Sequence, residues 1–237
     1  MPAAELLGKV VFITGGKGEL GRALAKVFRE AGADVWASCY SSNLESDKDV
    51  AIDLHDTMKI QRAFRKVYDV TQRIDILINN AGVTHNGLLL ADKDEQWNEV
   101  LDVNLQGMMR CCREVLKYMV PARRGVIINV SSLAALRSEV GQSIYAASKA
   151  GVESVTRTLA LEVASKNIRV NAVAPGFLDT AMLKTLGQQR VHLLKEKVPL
   201  KRLGQVNEIA LLVQWLASDQ ANYITGQTLR IDGGMGM

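Results

Sequence analysis

The 237-residue sequence has few aromatic residues, few cysteines and no long apolar run. Residues 1–9 lack a basic segment followed by an apolar stretch, and no later run reaches the ~18 apolar residues that suggest a membrane span. We therefore expect a soluble, cytoplasmic protein with no membrane association. The three cysteines match no metal-ligand spacing, and two of them are adjacent, which disfavours a bridge between them, so reduced thiols and no metal site are expected.

Blocks of like charge are also absent. The formal net charge is +4 at pH 7, but the lysines and arginines are dispersed among acids, so nucleic acid is not an expected partner. A composition that is 48% hydrophobic and 23% charged provides for one large core. No linker, repeat or disordered tail interrupts the chain, and we predict a single domain over residues 1–237.

Short β-branched runs alternate along the chain with amphipathic helical patterns, such as those at 20–31 and 208–217. Most of the short runs are almost continuously apolar, which is typical of strands covered on both faces. The pattern predicts an α/β fold with a doubly wound, seven-stranded parallel sheet and helices on both faces. Segment 40–49 is too short for a crossover helix and predicts a loop or a single helical turn. The predicted strands are 9–14, 34–39, 50–54, 74–79, 125–131, 168–173 and 228–232.

A glycine-rich loop follows the first predicted strand and leads into an Ala- and Leu-rich helix. It reads Thr14-Gly15-Gly16-Lys17-Gly18-Glu19-Leu20-Gly21. Glycine permits a tight turn and close approach to a pyrophosphate, and the helix offers unpaired N–H groups at its positive end. Such turns are common between strands and helices, but this position favours a dinucleotide site.

The end of the second predicted strand bears on cofactor choice, since an NAD site usually places an acid there to hold the ribose 2′-hydroxyl. This chain has Cys39, Tyr40, Ser41 and Ser42, with no carboxylate to repel a 2′-phosphate. Lys17 is within reach of that phosphate as a compact positive charge, which favours NADP(H). The alternative is that Lys17 is a solvated loop residue.

Tyr145 and Lys149 lie four residues apart at the start of a predicted helix, so they project from one face. A neighbouring ammonium favours the phenolate, and we expect it to lower the pKa of Tyr145 toward neutrality, as a general acid and base requires. Ser132, at the end of the fifth predicted strand, is placed to donate a hydrogen bond to a substrate oxygen as charge develops. Alone, a Tyr and a Lys at this spacing are more often a half-buried ring and a surface charge.

Together these motifs resemble the short-chain dehydrogenase/reductase family from residue 6 to the end of the chain. Segment 79–82 reads Asn-Asn-Ala-Gly, like the family's NNAG motif, and Tyr145 with Lys149 matches its YxxxK pair. The resemblance implies a Rossmann-type fold and a catalytic tetrad of Asn104, Ser132, Tyr145 and Lys149. It also implies that Lys149 holds the nicotinamide ribose and that Asn104 positions a water that relays protons to Lys149.

The resemblance assigns the cofactor contacts to three regions: the glycine loop, the ends of the second to fourth strands, and the segment after the sixth strand. For Asp53 a turn-capping role fits equally well. The assigned residues are Thr14, Gly15, Gly16, Lys17, Gly18, Glu19, Leu20, Gly21, Tyr40, Asp53, Leu54, Asn80, Ala81, Gly82, Tyr145, Lys149, Pro175, Gly176, Leu178 and Thr180.

Glu19 departs from the family pattern, because most single-domain members have glycine at this place in the loop. Gly15, Gly18 and Gly21 instead give the GxxGxxG spacing of the family's extended members. The loop therefore either turns differently and still approaches phosphate, or it directs the Glu19 carboxylate inward, where it would repel the pyrophosphate.

Within the family, the sequence is most similar to the 3-oxoacyl-acyl-carrier-protein reductases of fatty acid synthesis. The likeness rests on segments 198–204, 223–227 and 232–237, and on Gly141-Gln142 before the tyrosine. It implies an NADPH-dependent, homotetrameric reductase of 3-oxoacyl thioesters, with residues 180–198 as a lid. Other branches of the family share these segments in weaker form. A reductase or dehydrogenase for a dihydrodiol, sugar, steroid or small ketone is therefore an alternative, and a dinucleotide-binding sensor without turnover is another.

Three basic residues match the positions where those reductases hold their acidic carrier protein: Arg123, Arg124 and Lys166. Electrostatic steering of an acidic partner would favour such a patch. Ordinary solvated charges at helix ends are an equally good interpretation.

Overall fold

The computed structural model describes residues 6–40, 44–137, 139–185 and 187–237. Strands and helices alternate through these ranges. The strands are β1 (Val10–Ile13), β2 (Asp34–Cys39), β3 (Asp49–Ala51), β4 (Ile76–Asn79), β5 (Gly125–Val130), β6 (Ile168–Pro175) and β7 (Thr228–Ile231). The helices are α1 (Glu19–Glu30), α2 (Thr57–Thr71), α3 (Asp94–Leu101), α4 (Met108–Ala122), α5 (Ser143–Val163), α6 (Ala181–Lys184), α7 (Gln188–Lys197) and α8 (Val206–Ala217).

The strands form one parallel sheet in the order β3-β2-β1-β4-β5-β6-β7, which confirms the predicted α/β architecture. Its strand order reverses between β1 and β4, where ligands bind in open α/β sheets. Several predicted boundaries are shifted; β4, for example, begins at Ile76 rather than at residue 74. The edge strand β3 ends at Ala51 rather than at residue 54, because the chain there turns into α2. The interior strand β6 continues to Pro175, since β7 pairs with it up to Ile231.

Segment 40–49 contains no helix among its described residues, so the loop predicted for this connection is found there. Ser41 and Ser42, which entered the argument for NADP(H), lie outside the described residues.

The core is divided between the two faces of the sheet. Phe12 of β1 packs edge-on against Phe64 of α2, with ring centroids 4.7 Å apart, in a cluster that also includes residues of α4 and α5. Ile13, the next residue along β1, belongs to the opposite cluster with Phe28 of α1 and residues of α8. Because successive side chains of a strand point to opposite faces, a strand covered on both sides needs apolar residues at most positions, which explains the nearly continuous apolar runs.

A buried row of polar side chains joins α5 to the middle of the sheet. Asn79 Nδ2 donates to Asn129 Oδ1 at 2.9 Å, and Asn129 Nδ2 donates to Thr156 Oγ1 at 2.9 Å. Asn129 and Thr156 are fully buried, so these hydrogen bonds replace those that water would otherwise make. They fix the position of α5 on β4 and β5.

The catalytic and cofactor residues predicted from the sequence cluster at the carboxyl edge of this sheet. The glycine loop follows β1, Asn80 follows β4, Ser132 follows β5 and Gly176 follows β6. Across the described ranges, no helix has both the length and the apolar character needed to cross a membrane.

Candidate active site

Ser132 and Tyr145 meet above the end of β5. Ser132 precedes a 3₁₀ turn at Leu133–Ala135, and its Oγ accepts a hydrogen bond from Ala134 N at 3.2 Å. Tyr145 lies in the first turn of α5, and its hydroxyl shares a hydrogen bond with the Ser132 side chain. Two hydroxyl groups therefore converge where a substrate oxygen can accept from both.

The pKa of Tyr145 is raised above its ordinary value, because burial disfavours the phenolate more than the Ser132 hydrogen bond favours it. The sequence-based expectation that Lys149 lowers this pKa is wrong, because burial and the Ser132 hydrogen bond are the causes of the shift. Lys149 Nζ lies 5.8 Å from the centre of the Tyr145 ring and donates to Val130 O at 2.8 Å. The phenol therefore keeps its proton at neutral pH and is a proton donor.

Lys149 is 5% exposed on α5, and burial lowers its pKa to about 8. Desolvation is the only cause of this shift, so no carboxylate offsets it. An ammonium with a lowered pKa is suited to transfer a proton to a neighbouring oxygen.

Asn104 lies in a π-helical segment, Asp102–Gly107, between α3 and α4. Its side chain pairs with the backbone of Val83, accepting from Val83 N at 2.8 Å and donating to Val83 O at 2.9 Å. Asn104 Nδ2 also donates to Ser148 Oγ at 3.2 Å, next to Lys149. π-Helical bulges are frequent at functional sites, and this one brings the four predicted tetrad residues into a single region.

Gly82 lies between Asn104 and Lys149. A Cβ atom there would approach Asn104 Oδ1 to 3.1 Å and Lys149 Nζ to 3.6 Å. A larger side chain would therefore fill the space directly above the lysine ammonium.

The glycine loop turns tightly between β1 and α1. Gly15 has φ +66, and a Cβ atom there would lie 2.8 Å from Ala81 Cα, so only glycine fits this turn. Gly18 caps α1 and, as a glycine, has no side chain to bond to that helix N-terminus. The first-turn N–H groups near Glu19 and Leu20 can therefore receive a phosphate, and Gly16 and Gly21 lie buried beneath them. The loop fits a dinucleotide.

Thr14 and Asn80 lock this loop to the end of β4. Asn80 Nδ2 donates to the carbonyls of Thr14 and Gly15, both at 3.0 Å. Thr14 Oγ1 accepts from Asn80 N at 3.0 Å and from Ala81 N at 3.1 Å. Both side chains thus position the phosphate loop.

Lys17 forms ion pairs rather than lying free in solvent. Its Nζ lies 2.6 Å from Asp49 Oδ2 and 3.0 Å from Glu45 Oε2. The hydrogen bond to Asp49 is the main cause that raises the pKa of Lys17, which keeps its charge. Tyr40, at the end of β2, is 80% exposed nearby. The sequence argument did not predict either acid as a partner of Lys17, because Asp49 comes close to Lys17 only through the pairing of β3 with β2.

Asp53 and Leu54 follow β3 at the edge of the site. Asp53 Oδ1 accepts from both Nδ1 and N of His55, and Lys59 Nζ lies 3.1 Å from its Oδ2. These contacts, with the His55 side chain first among them, lower the pKa of Asp53 to about 2. The carboxylate therefore caps its own turn, while an adenine contact stays a prediction. Leu54 is buried, and its carbonyl accepts from Arg110 Nη1 at 2.8 Å.

The segment after β6 forms the far wall of the site. Gly176 N donates to Ile231 O at 3.1 Å after Pro175, and Leu178 pairs with Gly204 as an isolated parallel bridge. Thr180 caps α6 through its Oγ1. Glu19 turns toward this wall, because its Oε1 accepts from Ala181 N at 2.7 Å.

Several contacts of the site were missed by the sequence argument. Ser148 lies beside the predicted Lys149 but has no motif of its own, and the Ser38 Oγ that accepts from Gly15 N at 3.3 Å points inward from β2. His85 pairs with Asp92 at 2.9 Å in the loop between β4 and α3. Only the fold reveals these partners, because each pair joins separate segments.

Comparisons with known proteins give the relatives of this chain. A family model described as enoyl-(acyl carrier protein) reductase matches residues 17–236. The 3-oxoacyl-[acyl-carrier-protein] reductase FabG of Thermotoga maritima is 41% identical over 98% of this chain and 99% of its own. Nodulation protein G of Rhizobium meliloti is 40% identical over 98% and 99%. The Escherichia coli FabG is 39% identical over 97% and 98%.

Among solved structures, the crystal structure of gox2181 superposes with a TM-score of 0.92 at 33% identity, covering 97% of this chain and 96% of that one. The sequence relatives, the backbone and the residues at the carboxyl edge of the sheet therefore indicate the same family. This chain belongs to the short-chain dehydrogenase/reductase family, is related to the FabG reductases and, as a member, is an oxidoreductase that uses a nicotinamide dinucleotide.

Proposed function

We propose that the protein reduces 3-oxoacyl thioesters, carried on an acyl carrier protein in fatty acid synthesis, to 3-hydroxyacyl thioesters with NADPH. The observation that carries this proposal is the convergence of the Ser132 and Tyr145 hydroxyls beside the buried Lys149. The names of the relatives support the substrate class, since two of the three relatives reported above are 3-oxoacyl-[acyl-carrier-protein] reductases, at 41% and 39% identity.

The nicotinamide would supply the hydride when bound. The Ser132 hydroxyl donates a hydrogen bond to the substrate carbonyl oxygen as negative charge develops there. Tyr145, whose raised pKa keeps it protonated, donates its proton to that oxygen. Lys149 stabilises the phenolate left behind, and its pKa of about 8 lets it return a proton at neutral pH. Asn104 holds the Val83 segment against the lysine.

An assay with three thioester substrates tests this reaction. Purified protein is mixed with NADPH and either acetoacetyl, crotonyl or hydroxybutyryl thioester, and the absorbance of the reduced cofactor is followed. Oxidation with the 3-oxo substrate alone supports the proposal. Oxidation with the enoyl thioester instead would favour the activity named by the family model. Dinucleotide binding without oxidation in any of the three mixtures would favour a sensor or a reductase for another class of carbonyl.

The choice of NADP(H) rests on Lys17 and the lack of an acid at Cys39 and Tyr40. A 2′-phosphate would compete with Asp49 and Glu45 for the Lys17 ammonium. Lys17→Met should weaken NADPH binding about fivefold to tenfold, as loss of a charge-assisted hydrogen bond does. NADH binding should stay within twofold, and equal weakening of both would refute this assignment.

The carrier protein would dock on Arg123, Arg124 and Lys166. Arg123 Nη2 donates to Ser165 O at 3.0 Å, which brings the first residue next to the last. Arg124 also faces Asp75, with Nε and Oδ1 3.6 Å apart. The patch precedes β5 whereas Ser132 follows it, so the two are separated by the length of the strand, about 20 Å. A long tether, or a second subunit, would have to bring the thioester to the site.

A homotetramer completes the proposal. An open groove of about 710 Å³ runs between α4 and α5, lined by apolar residues such as Met109, Leu116, Val155 and Leu159. Exposed apolar surface of this kind favours burial against a second copy. Light scattering after size exclusion tests it: a species of four chains supports the proposal, and a monomer at micromolar concentration contradicts it.

A further inference from the structure

Glu19, the one acid in the glycine loop 14–21, forms a contact on the opposite side of the site. Glu19 is the first residue of α1 and is exposed, and its carboxylate could have turned toward the N–H groups of its own helix. Instead its Oε1 accepts a hydrogen bond from the backbone N of Ala181, 162 residues away, at 2.7 Å. The side chain therefore joins two segments that otherwise belong to opposite walls.

The two walls stand far apart at the level of the sheet. α1 follows β1, and α6 follows β6; these strands are separated by β4 and β5. Three strand spacings correspond to about 14 Å. The bond between Glu19 and Ala181 therefore passes over the carboxyl edge of β4 and β5, above the crevice where a dinucleotide would lie.

The base of the second wall is held independently of Glu19. Asp179 N donates to Gly204 O at 2.8 Å, and Leu178 bridges to Gly204. Beyond that anchor the chain turns into α6, whose first amide is the one that Glu19 holds. The exposed hydrogen bond from Ala181 to Glu19 lies two residues beyond the anchor at Asp179, so its loss would free the first turn of α6 from the phosphate loop.

We propose that Glu19 is a latch that ties residues 180–185, the start of the predicted lid 180–198, to the phosphate loop, so that a dinucleotide enters and leaves only when the bond to Ala181 opens. This proposal rests on the proposed function for its ligand but not for the tie itself. It also gives Glu19 a positive role at a place where most single-domain members of the family have glycine.

Two substitutions separate the hydrogen bond from the charge. Glu19→Gln keeps an acceptor oxygen at the same distance along the side chain and removes the negative charge, whereas Glu19→Ala removes both. Glu30, the last residue of the same helix, is exposed and pairs with Lys26. Glu30→Ala and Glu30→Gln are therefore matched controls for a lost carboxylate that does not reach the lid.

Amide hydrogen exchange on the protein without cofactor tests the tie. A hydrogen bond is worth about 1 kcal/mol net, which corresponds to roughly fivefold in an opening equilibrium. Peptides covering 178–185 should exchange about fivefold faster in Glu19→Ala, and at the wild-type rate in Glu19→Gln and in both Glu30 variants. Equal exchange in Glu19→Ala and the wild type would overturn the latch.

Release of NADPH tests the consequence. The bound cofactor is chased with excess NADP⁺, and its fluorescence is followed by stopped flow. Glu19→Ala should release NADPH about fivefold faster, while Glu19→Gln stays within twofold of the wild type. Release from Glu19→Gln as fast as from Glu19→Ala would overturn the proposal. Failure of the wild type to bind any dinucleotide would instead overturn the proposed function, and the exchange measurement would still decide the tie.

Discussion

The two ends of the candidate site, the proposed catalytic end around Lys149 and the proposed adenosine end around Lys17, are built from different interactions. Lys149 and Asn104 are almost fully buried and bond to backbone carbonyls and hydroxyls, with no carboxylate bonded to either side chain among the described contacts. Lys17 instead pairs with two carboxylates, the buried Asp49 and the exposed Glu45, whose side chain is 63% exposed. Burial shifts pKa values, whereas exposed pairs are screened and worth little. The catalytic end is therefore arranged for proton chemistry, and the adenosine end for adjustable affinity.

The largest effect should come from removing the proton donor. Tyr145→Phe should lower turnover by about 10³-fold or more, because general acid catalysis contributes roughly 10² to 10⁴ and the Ser132 hydroxyl loses its partner. NADPH affinity should remain within about threefold, since the hydroxyl acts mainly on the substrate oxygen. Steady-state kinetics and fluorescence titration measure the two quantities.

Tyr68→Phe is the control for the first prediction. That tyrosine stacks on Tyr118, with ring centroids 4.5 Å apart, away from the site. If Tyr145→Phe kept the wild-type turnover rate, Tyr145 would not be the proton donor, and the two ends of the site would not differ in function.

The buried lysine should produce a pH-dependent stability difference. The pKa of Lys149 falls from an ordinary 10.5 to about 8 on folding, so between these values the unfolded chain binds more protons than the native protein. The free energy of unfolding of the wild type should therefore rise with pH, relative to Lys149→Met, from pH 8 to 10.5. The full change amounts to about 3 kcal/mol.

Urea denaturation of both proteins at pH 7.5 and pH 10 measures most of this change. Lys26→Met, which alters an exposed lysine of α1, supplies the comparison. A stability difference between the wild type and Lys149→Met that is independent of pH would mean that the ammonium is not desolvated in the folded protein.

The smallest effect is expected at the adenosine end. Glu45→Gln removes one competitor for the Lys17 ammonium and leaves Asp49 in place. Because exposed pairs contribute about 0.2 to 1 kcal/mol, NADPH affinity should increase by no more than about fivefold. The gain should shrink in high salt and be absent for NADH. Titrations with NADPH and NADH at two ionic strengths test this prediction. If the gain in NADPH affinity did not depend on salt, the interactions around Lys17 would not be screened ion pairs and would not differ in kind from those around Lys149.

Much of this arrangement could be predicted from the sequence, because it depends on local patterns. Continuous apolar runs predicted the strands, and helical spacing predicted that Tyr145 and Lys149 share a face. The pairing of Lys17 with Asp49 could not be predicted, since it depends on the packing of β3 beside β2. The direction of the Tyr145 pKa shift was missed for a similar reason, because burial is a property of the whole fold.

The row from Asn79 through Asn129 to Thr156 carries a consequence for catalysis at a distance. Thr156 lies 11 residues beyond Tyr145 on one helix, which at about 1.5 Å per residue is about 16 Å. A helix is stiff along its axis, so the depth at which Thr156 is anchored sets the height at which the phenol stands over Ser132. The buried row therefore sets a distance along α5. A substitution within it would shift Tyr145 relative to Ser132, although the two sites are far apart.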